Sequence, residues 1–182
     1  VLIDGVELTA RPSRREALHR IAFMPQSASA PRNLSVLETV TYLTWMRGAP
    51  WSRARQQARQ ALALVDLEKM SDTRCKALSG GMQRRVWLAQ ALASEADVLL
   101  LDEPSTGLDP RQRQLMLTAL HRAAETGATI VLSSHVLEDV ADLADHLVVL
   151  THGTVAFDAA MPESLDSTWF LDVCLLYTSP SP

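Results

Sequence analysis

Residues 98–101 form an unbroken apolar run, VLLL, that ends on two adjacent carboxylates, Asp102 and Glu103. A run this short, with apolar residues at successive positions, suits a central strand of a parallel sheet, covered on both faces. Parallel strands need long crossover connections, usually helices, so the rest of the chain has to follow an α/β pattern. In open α/β sheets ligands bind beyond the carboxyl ends of the strands, which is where Asp102 and Glu103 fall. Two carboxylates there suit a hard divalent cation and an activated water. Upstream, Ser79, Gly80 and Gly81 come directly before a helical pattern with Met82, Val86, Ala89 and Leu92 on one face. Small residues at a helix start leave its first N–H groups open to an anion, a phosphate-binding geometry.

The remaining segments supply the other elements. Val1 to Leu8 reads as two short extended pieces around a turn at Asp4-Gly5. Ser13 with Glu16, and Ser35 with Glu38, match capping boxes that open helices. Between them Ile21 to Met24 reads as a buried strand, stopped by Pro25 and followed by Gln26. The helix after Ser35 is expected to turn Leu37, Val40, Leu43 and Met46 inward and to end at Gly48 and Pro50. A second, from about Ser52 to Val65, carries Ala54, Ala58, Ala61, Leu62 and Val65 inward and Arg53, Arg55 and Arg59 outward. Asp109 can cap a helix that has Pro110 at its first position and Gln112 in the reciprocal place, with Gly127 at its end. Thr129 to Leu132 is another strand, leading to Ser133, Ser134 and His135. A short helix from Val136 to Ala144, a closing hairpin around Gly153 and a further helix beginning in MPESL complete the pattern.

Composition narrows the classes of function. With 182 residues, 47% of them hydrophobic, the chain can bury a core, and nothing favours disorder. A net charge of −4 lacks the basic excess of a nucleic-acid binder, so nucleic acid is not an expected partner. Cys75 and Cys174 stand alone, without metal-ligand spacing or a disulfide framework, which fits a reducing compartment. No run reaches the roughly 18–20 apolar residues that span a bilayer, and no signal segment opens the chain. The chain starts at Val1 directly in a strand-like run and is expected to be part of a longer one. The final VCLLYTSPSP has no amphipathic period, resembles a translated adapter and is expected to be non-native.

Three motifs occur in linked order: LSGGM at residues 78–82, VLLLDEP at 98–104 and STGLD at 105–109. Together they resemble the signature, the Walker B strand and the D-loop of the ATP-binding subunit of ABC-type transporters. Gln26 and His135 match that family's Q-loop and H-loop. The resemblance covers roughly residues 1–165, the part of the family domain that follows the Walker A helix. It implies a P-loop NTPase-type parallel sheet flanked by helices, with an inserted α-helical signature subdomain and β-hairpins at the edges. Residues 1–26 would be partial ATPase core, 27–93 the helical subdomain with the signature helix, 94–165 the rest of the core and 166–182 a tail.

The resemblance also implies ATP and Mg²⁺ as cofactors. Asp102 would hold the magnesium, with Gln26 completing the shell of metal and water, and Glu103 would act as general base on the attacking water. His135 would contact the γ-phosphate. Ser79, Gly80 and Gly81 would close over the nucleotide of a second ATP-binding subunit, packed head to tail as a homo- or heterodimer, and Asp109 would couple the two sites. Transmembrane permease subunits would be the other partners, meeting the stretch from Gln26 to Trp45 and holding a cytoplasmic protein on the inner face of the membrane. Trp45 and Trp51 fit either that interface or core packing.

Two departures stand out. Met82 occupies the usual place of a glutamine, which leaves the backbone donors of the glycines intact. No G-x-x-x-x-G-K-[ST] run occurs, and the adenine-stacking aromatic that precedes it in the family is also missing, so these residues lack their own phosphate cradle. LSGGM, the SSHVLEDV helix and the VVLTHGTVAFDA ending resemble exporters more than importers. Two other readings are an inactive subunit that completes a partner's ATP site and a non-transport ABC ATPase. Intact Glu103 and His135 argue against the first, and the short span from Gln26 to Ser79 argues against the coiled-coil members of the second.

Overall fold

A computed structural model describes residues 2–3, 6–7, 17–27 and 29–161. The chain divides into two compact units, residues 1–133 and 134–182. The Asp4-Gly5 turn, the Ser13–Glu16 capping pattern, Cys174 and all but the first residue of MPESL lie outside the described residues.

In the first unit, β1 (Leu2–Ile3) and β2 (Val6–Glu7) pair antiparallel. A parallel sheet follows, with β3 (Ile21–Met24), β4 (Val98–Asp102) and β5 (Thr129–Ser133) in that order. Its register sets Met24, Leu101 and Leu132 side by side, and Asp102 beside Ser133. Between β3 and β4 the chain builds α1 (Val36–Met46), α2 (Trp51–Leu64) and α3 (Gly80–Ala93); α4 (Pro110–Glu125) crosses from β4 to β5. This is the α/β order that the apolar strand runs predicted. The α3 helix packs on β3 and α4 on β5, and the covered face carries Ala22, Met24, Leu99 and Leu101, all at most 2% exposed. The expectation of a strand apolar on both faces holds for one face of the sheet only. On the other, among the described residues, Phe23 and Val131 are each more than half exposed.

The three inserted helices pack on one another. Ala54, Ala58, Ala61, Leu62 and Val65 are buried as their spacing predicted, the small alanines letting α2 approach its neighbours closely. The buried face of α1 is rotated from the predicted one. Val36, Leu37, Thr39, Val40, Thr41 and Thr44 are inside, whereas Leu43 is half-buried and Met46 exposed. Two of these threonines can go inward because their hydroxyls are satisfied. Thr44 Oγ1 donates to Val40 O at 2.8 Å, and Thr39 Oγ1 lies 3.3 Å from the buried free thiol of Cys75. On the outer face Tyr42, Trp45 and Trp51 form an exposed aromatic cluster, with ring centroids 5.8 and 6.1 Å apart, so neither tryptophan is a core residue here.

The α1 capping box forms as predicted. Ser35 N–H donates to Glu38 Oε2 at 2.7 Å and Glu38 N–H to Ser35 Oγ at 3.2 Å. The Ser35 backbone bond, then its hydroxyl, hold the Glu38 carboxyl below the ordinary carboxylate range, with smaller help from Arg74 and Arg55. A carboxyl lowered by folding stabilises the native state above its unfolded pKa and loses that contribution as the pH falls through the folded value. The melting-temperature gap between wild type and Glu38→Gln is therefore expected to be widest near neutrality and to close in acid, once the pH drops below the ordinary 4.5. A gap that widens in acid would contradict the assignment.

The second unit contains α5 (Leu137–Leu143) and a hairpin of β6 (His146–Thr151) and β7 (Thr154–Ala160). His152 and Gly153 both have positive φ, 49° and 78°, the backbone of a two-residue hairpin turn that matches strand twist. The hairpin forms around Gly153 as expected, and His146 Nε2 meets Asp158 Oδ1 across the pair at 2.5 Å. Among the described residues no helix is long and apolar enough to cross a membrane.

Candidate nucleotide site

The first unit gathers Gln26, Ser79, Gly80, Gly81, Asp102, Glu103 and Asp109 on the segments that follow β3 and β4 and on the starts of α3 and α4. Asp102 is the last residue of β4, and its Oδ1 accepts the Ser133 hydroxyl at 2.7 Å. The same hydroxyl oxygen accepts the Glu103 N–H at 2.9 Å. Ser133 thus fixes both carboxylate residues from the end of the neighbouring strand.

Glu103 leaves the sheet in the left-handed region, at φ 51°. For a residue with a Cβ this costs about 1–3 kcal/mol and persists only where the surroundings hold it there. Its N–H also meets the Ser133 carbonyl at 3.2 Å, its own carbonyl accepts from Arg84 Nη2 and from Thr106 N, and its Oε2 accepts the Thr106 hydroxyl at 2.8 Å. The result is a tight turn, completed by Gly107 at φ 76°, in which the Glu103 carboxylate is held by Thr106.

Ser79 is the N-cap of α3, its Oγ accepting from Met82 N at 3.3 Å, and Asp109 caps α4 through Gln112 N at 2.8 Å. Both residues therefore serve their own helices. Gly81 lies against the turn after β4. A Cβ there would stand 2.6 Å from Gln112 Oε1 and 3.6 Å from the Gly107 carbonyl, whereas one at Gly80 would meet none of the described residues within 4 Å. Along α3 Val86 and Ala89 are buried as expected, whereas Met82 and Leu92 are only half-buried and Arg85 is also inside. Arg85 Nη1 donates to the Val65 and Asp66 carbonyls at 2.9 and 3.2 Å, which satisfies the C-terminal end of α2.

Gln26 follows β3, exposed, and its carbonyl accepts from Arg84 Nη1 at 2.6 Å. Arg84 is half-buried. Burial lowers its pKa, and the nearby Glu103 and Asp102 carboxylates push it back up. His135 stands in the second unit, exposed, just after Ser134, whose hydroxyl accepts Val136 N–H at 3.0 Å and donates to the buried Asp139 at 3.3 Å. Arg84 and Ser133 are site residues that the motifs do not reveal. Their signal in the sequence is weak, since an arginine in a helix and a serine at a strand end are ordinary, and only the fold brings them to Glu103.

No group of three or more His, Cys, Asp or Glu suited to a metal occurs among the described residues. Magnesium rarely uses such a cage. It keeps several waters and takes one or two carboxylates together with substrate phosphates, and a single hard carboxylate at a strand end, Asp102, fits that demand.

A family described as ABC transporter matches residues 1–106. The Nod factor export ATP-binding protein I of Burkholderia orbicola (strain AU 1054) is 36% identical over 172 residues, 94% of this chain and 56% of that protein. The daunorubicin/doxorubicin resistance ATP-binding protein DrrA of Streptomyces peucetius is 32% identical over 161 residues, 88% of this chain and 48% of its own length. The chain thus spans about half the length of these curated relatives. Among solved structures, an ATP-binding cassette in a dimeric post-hydrolysis state, bound to ADP and Pi, shares the fold with a TM-score of 0.77 at 24% identity, over 89% of this chain and 73% of that one. With the parallel sheet, the inserted helices and the glycine-started α3 beside the Asp102-Glu103 turn, the match over residues 1–106 places this chain in the ABC transporter family, as a nucleotide-binding domain.

Proposed function

We propose that the protein binds and hydrolyses ATP to drive export across a membrane, working as a homo- or heterodimer of ATP-binding subunits on transmembrane permease partners. The observation that carries this reading is the Glu103 turn: a carboxylate at a strand end, held in a left-handed backbone by Ser133, Thr106 and Arg84. Placement of this kind suits a residue that must orient one water in line with a phosphoryl group. Magnesium, when bound, would offset phosphate charge and orient the nucleotide. Asp102 would hold it, with Gln26 completing the shell, and Glu103 would take the proton of the attacking water. His135 would hold the γ-phosphate. The names of the two relatives, one for Nod factor export and one for drug resistance, support export. In that assembly the protein would sit on the cytoplasmic face of the membrane, with no nucleic acid as partner. We assign residues 27–93 to the helical subdomain and the flanking segments 1–26 and 94–165 to the ATPase core.

Ser79, Gly80 and Gly81 would act on the partner subunit's nucleotide, and Asp109 would link the two sites. Gly80 supports this reading through what its absent side chain does not do. A glycine in a helix interior is less favourable than alanine by roughly 0.5–1 kcal/mol, less so at this first helical position, and among the described residues nothing stands where its Cβ would go. Its use therefore lies with something that approaches from outside. Gly80→Ala should melt no lower than wild type yet lose ATP-driven dimerisation, measured by sedimentation. A lowered melting temperature would return Gly80 to a packing role.

Hydrolysis itself is the test. The full-length protein with its permease should release phosphate from ATP only with Mg²⁺, and no phosphate release would overturn the reading. The 182 residues alone, which lack a G-x-x-x-x-G-K-[ST] motif, should show no saturable ATP binding in the micromolar range by calorimetry. Micromolar affinity would contradict that expectation.

A further inference from the structure

Arg84 lies on the first turns of α3, three residues after Gly81, and its guanidinium reaches three backbone carbonyls on two separate segments. Nη1 donates to Gln26 O at 2.6 Å, Nη2 to Glu103 O and Nε to Pro104 O at 3.4 Å. The first follows β3 and the other two follow β4. Arginine carries five donors in one rigid plane, whereas lysine has a single nitrogen and cannot hold such a spread of acceptors. Carbonyl acceptors also mean that the contact acts on backbone, so it sets where the Gln26 and Glu103 side chains start from.

We propose that Arg84 is a positioning residue that ties Gln26 and Glu103 to the signature helix, so that movement of α3 toward a partner's nucleotide is passed to the catalytic pair of its own subunit. The inference rests on the proposed function in its second half. The tie itself stands on the hydrogen bonds alone. Gly81, one turn earlier on the same helix, touches the Gly107 and Gln112 region, so α3 meets the turn after β4 at two heights. Loss of Arg84 would leave the Gly81 contact and the Ser133 and Thr106 bonds in place, and would therefore loosen Glu103 without unfolding the domain.

The experiment uses the full-length protein in its assembled transporter, as Arg84→Met and Arg84→Lys, with Arg84→Gln as a second neutral variant should the methionine form fail to fold. In the neutral variants kcat for ATP is expected to fall on the order of 10–100-fold with KM within about threefold, and lysine should recover only part of it. Without nucleotide, hydrogen exchange should quicken on the order of tenfold around Gln26 and from Glu103 to Gly107, with α2 unchanged. Unchanged exchange at those two segments overturns the tie, and full activity in Arg84→Lys overturns the fork. A uniform rise in exchange through α2 and α3 makes Arg84 an ordinary fold residue. If Glu103→Gln keeps full hydrolysis, the proposed function loses its base, while the nucleotide-free exchange still decides on Arg84.

Discussion

Glu103→Gln in the full-length, assembled protein is expected to bind ATP and form the closed dimer as wild type does, and to lose steady-state turnover by about 100-fold or more. Removing a general base from a phosphoryl or proton transfer typically lowers the rate by about 10²–10⁴-fold. The substitution is well matched to this site. Glutamine keeps the side-chain length and an oxygen to accept the Thr106 hydroxyl, and it leaves the backbone bonds to Ser133 and Arg84 untouched. The left-handed φ of 51° is no harder for glutamine than for glutamate. What changes is the ability to take a proton, so a kinetic loss without a loss of binding isolates that step. ATP affinity from calorimetry and phosphate release from a coupled assay give the two numbers. Unchanged phosphate release would remove Glu103 as the base.

The sequence made the site's chain order legible and left much of its support hidden. LSGGM, VLLLDEP and STGLD are contiguous and carry their own context, and their resemblance to the family's motifs makes Ser79 to Gly81, Asp102, Glu103 and Asp109 the candidate site residues. Ser133 and Arg84 could not, because their importance comes from register and from helix placement: Ser133 stands opposite Asp102 only because β5 pairs with β4 in a particular alignment. The faces of helices were legible to different degrees for a related reason. Alanines and leucines at helical spacing identified the buried face of α2 correctly, since burial there is a matter of apolar area. In α1 the periodic apolar residues were a guide at its start, where Leu37 and Val40 are buried, and misled at Leu43 and Met46. Threonine hydroxyls that bond their own helix or a neighbouring thiol can be buried, and this turned Met46 outward to join an exposed surface with Trp45.

Strand β4 shows the same division between local and long-range information. Four successive apolar residues predict strand, but they do not say which alternate pair faces the helices. The structure selects Leu99 and Leu101, and leaves Val98 and Leu100 half-buried on the other face. Side-chain alternation at period 2 means that a one-residue slip would exchange the two sets and send Asp102 to the opposite face.

Leu101→Ala is therefore expected to be among the most destabilising single changes in the chain. Leu101 is 2% exposed, lies between Met24 and Leu132 in register, and comes immediately before Asp102. Truncating a buried leucine loses the transfer free energy of the removed atoms and leaves a cavity that the neighbours fill only in part, about 2–5 kcal/mol in total. The sheet limits the relaxation that could reduce this figure, since β4 is hydrogen-bonded on both sides and cannot move inward without breaking its pairing with β3 and β5. Denaturant melts of the full-length protein should show a lowered midpoint at an unchanged slope, the product of slope and shift giving a loss of that size. Leu100→Ala, on the half-buried side of the same strand, serves as the comparison and should shift the midpoint by less than half as much, by the area argument of roughly 25 cal/mol per Å². Equal shifts for the two leucines would mean that the face opposite Leu101 is as well covered in the full-length protein as the face toward α3 and α4. The helix-facing alternation would then no longer set Leu101 apart from Leu100, and the bonds from Ser133 would be what fixes the face on which Asp102 lies.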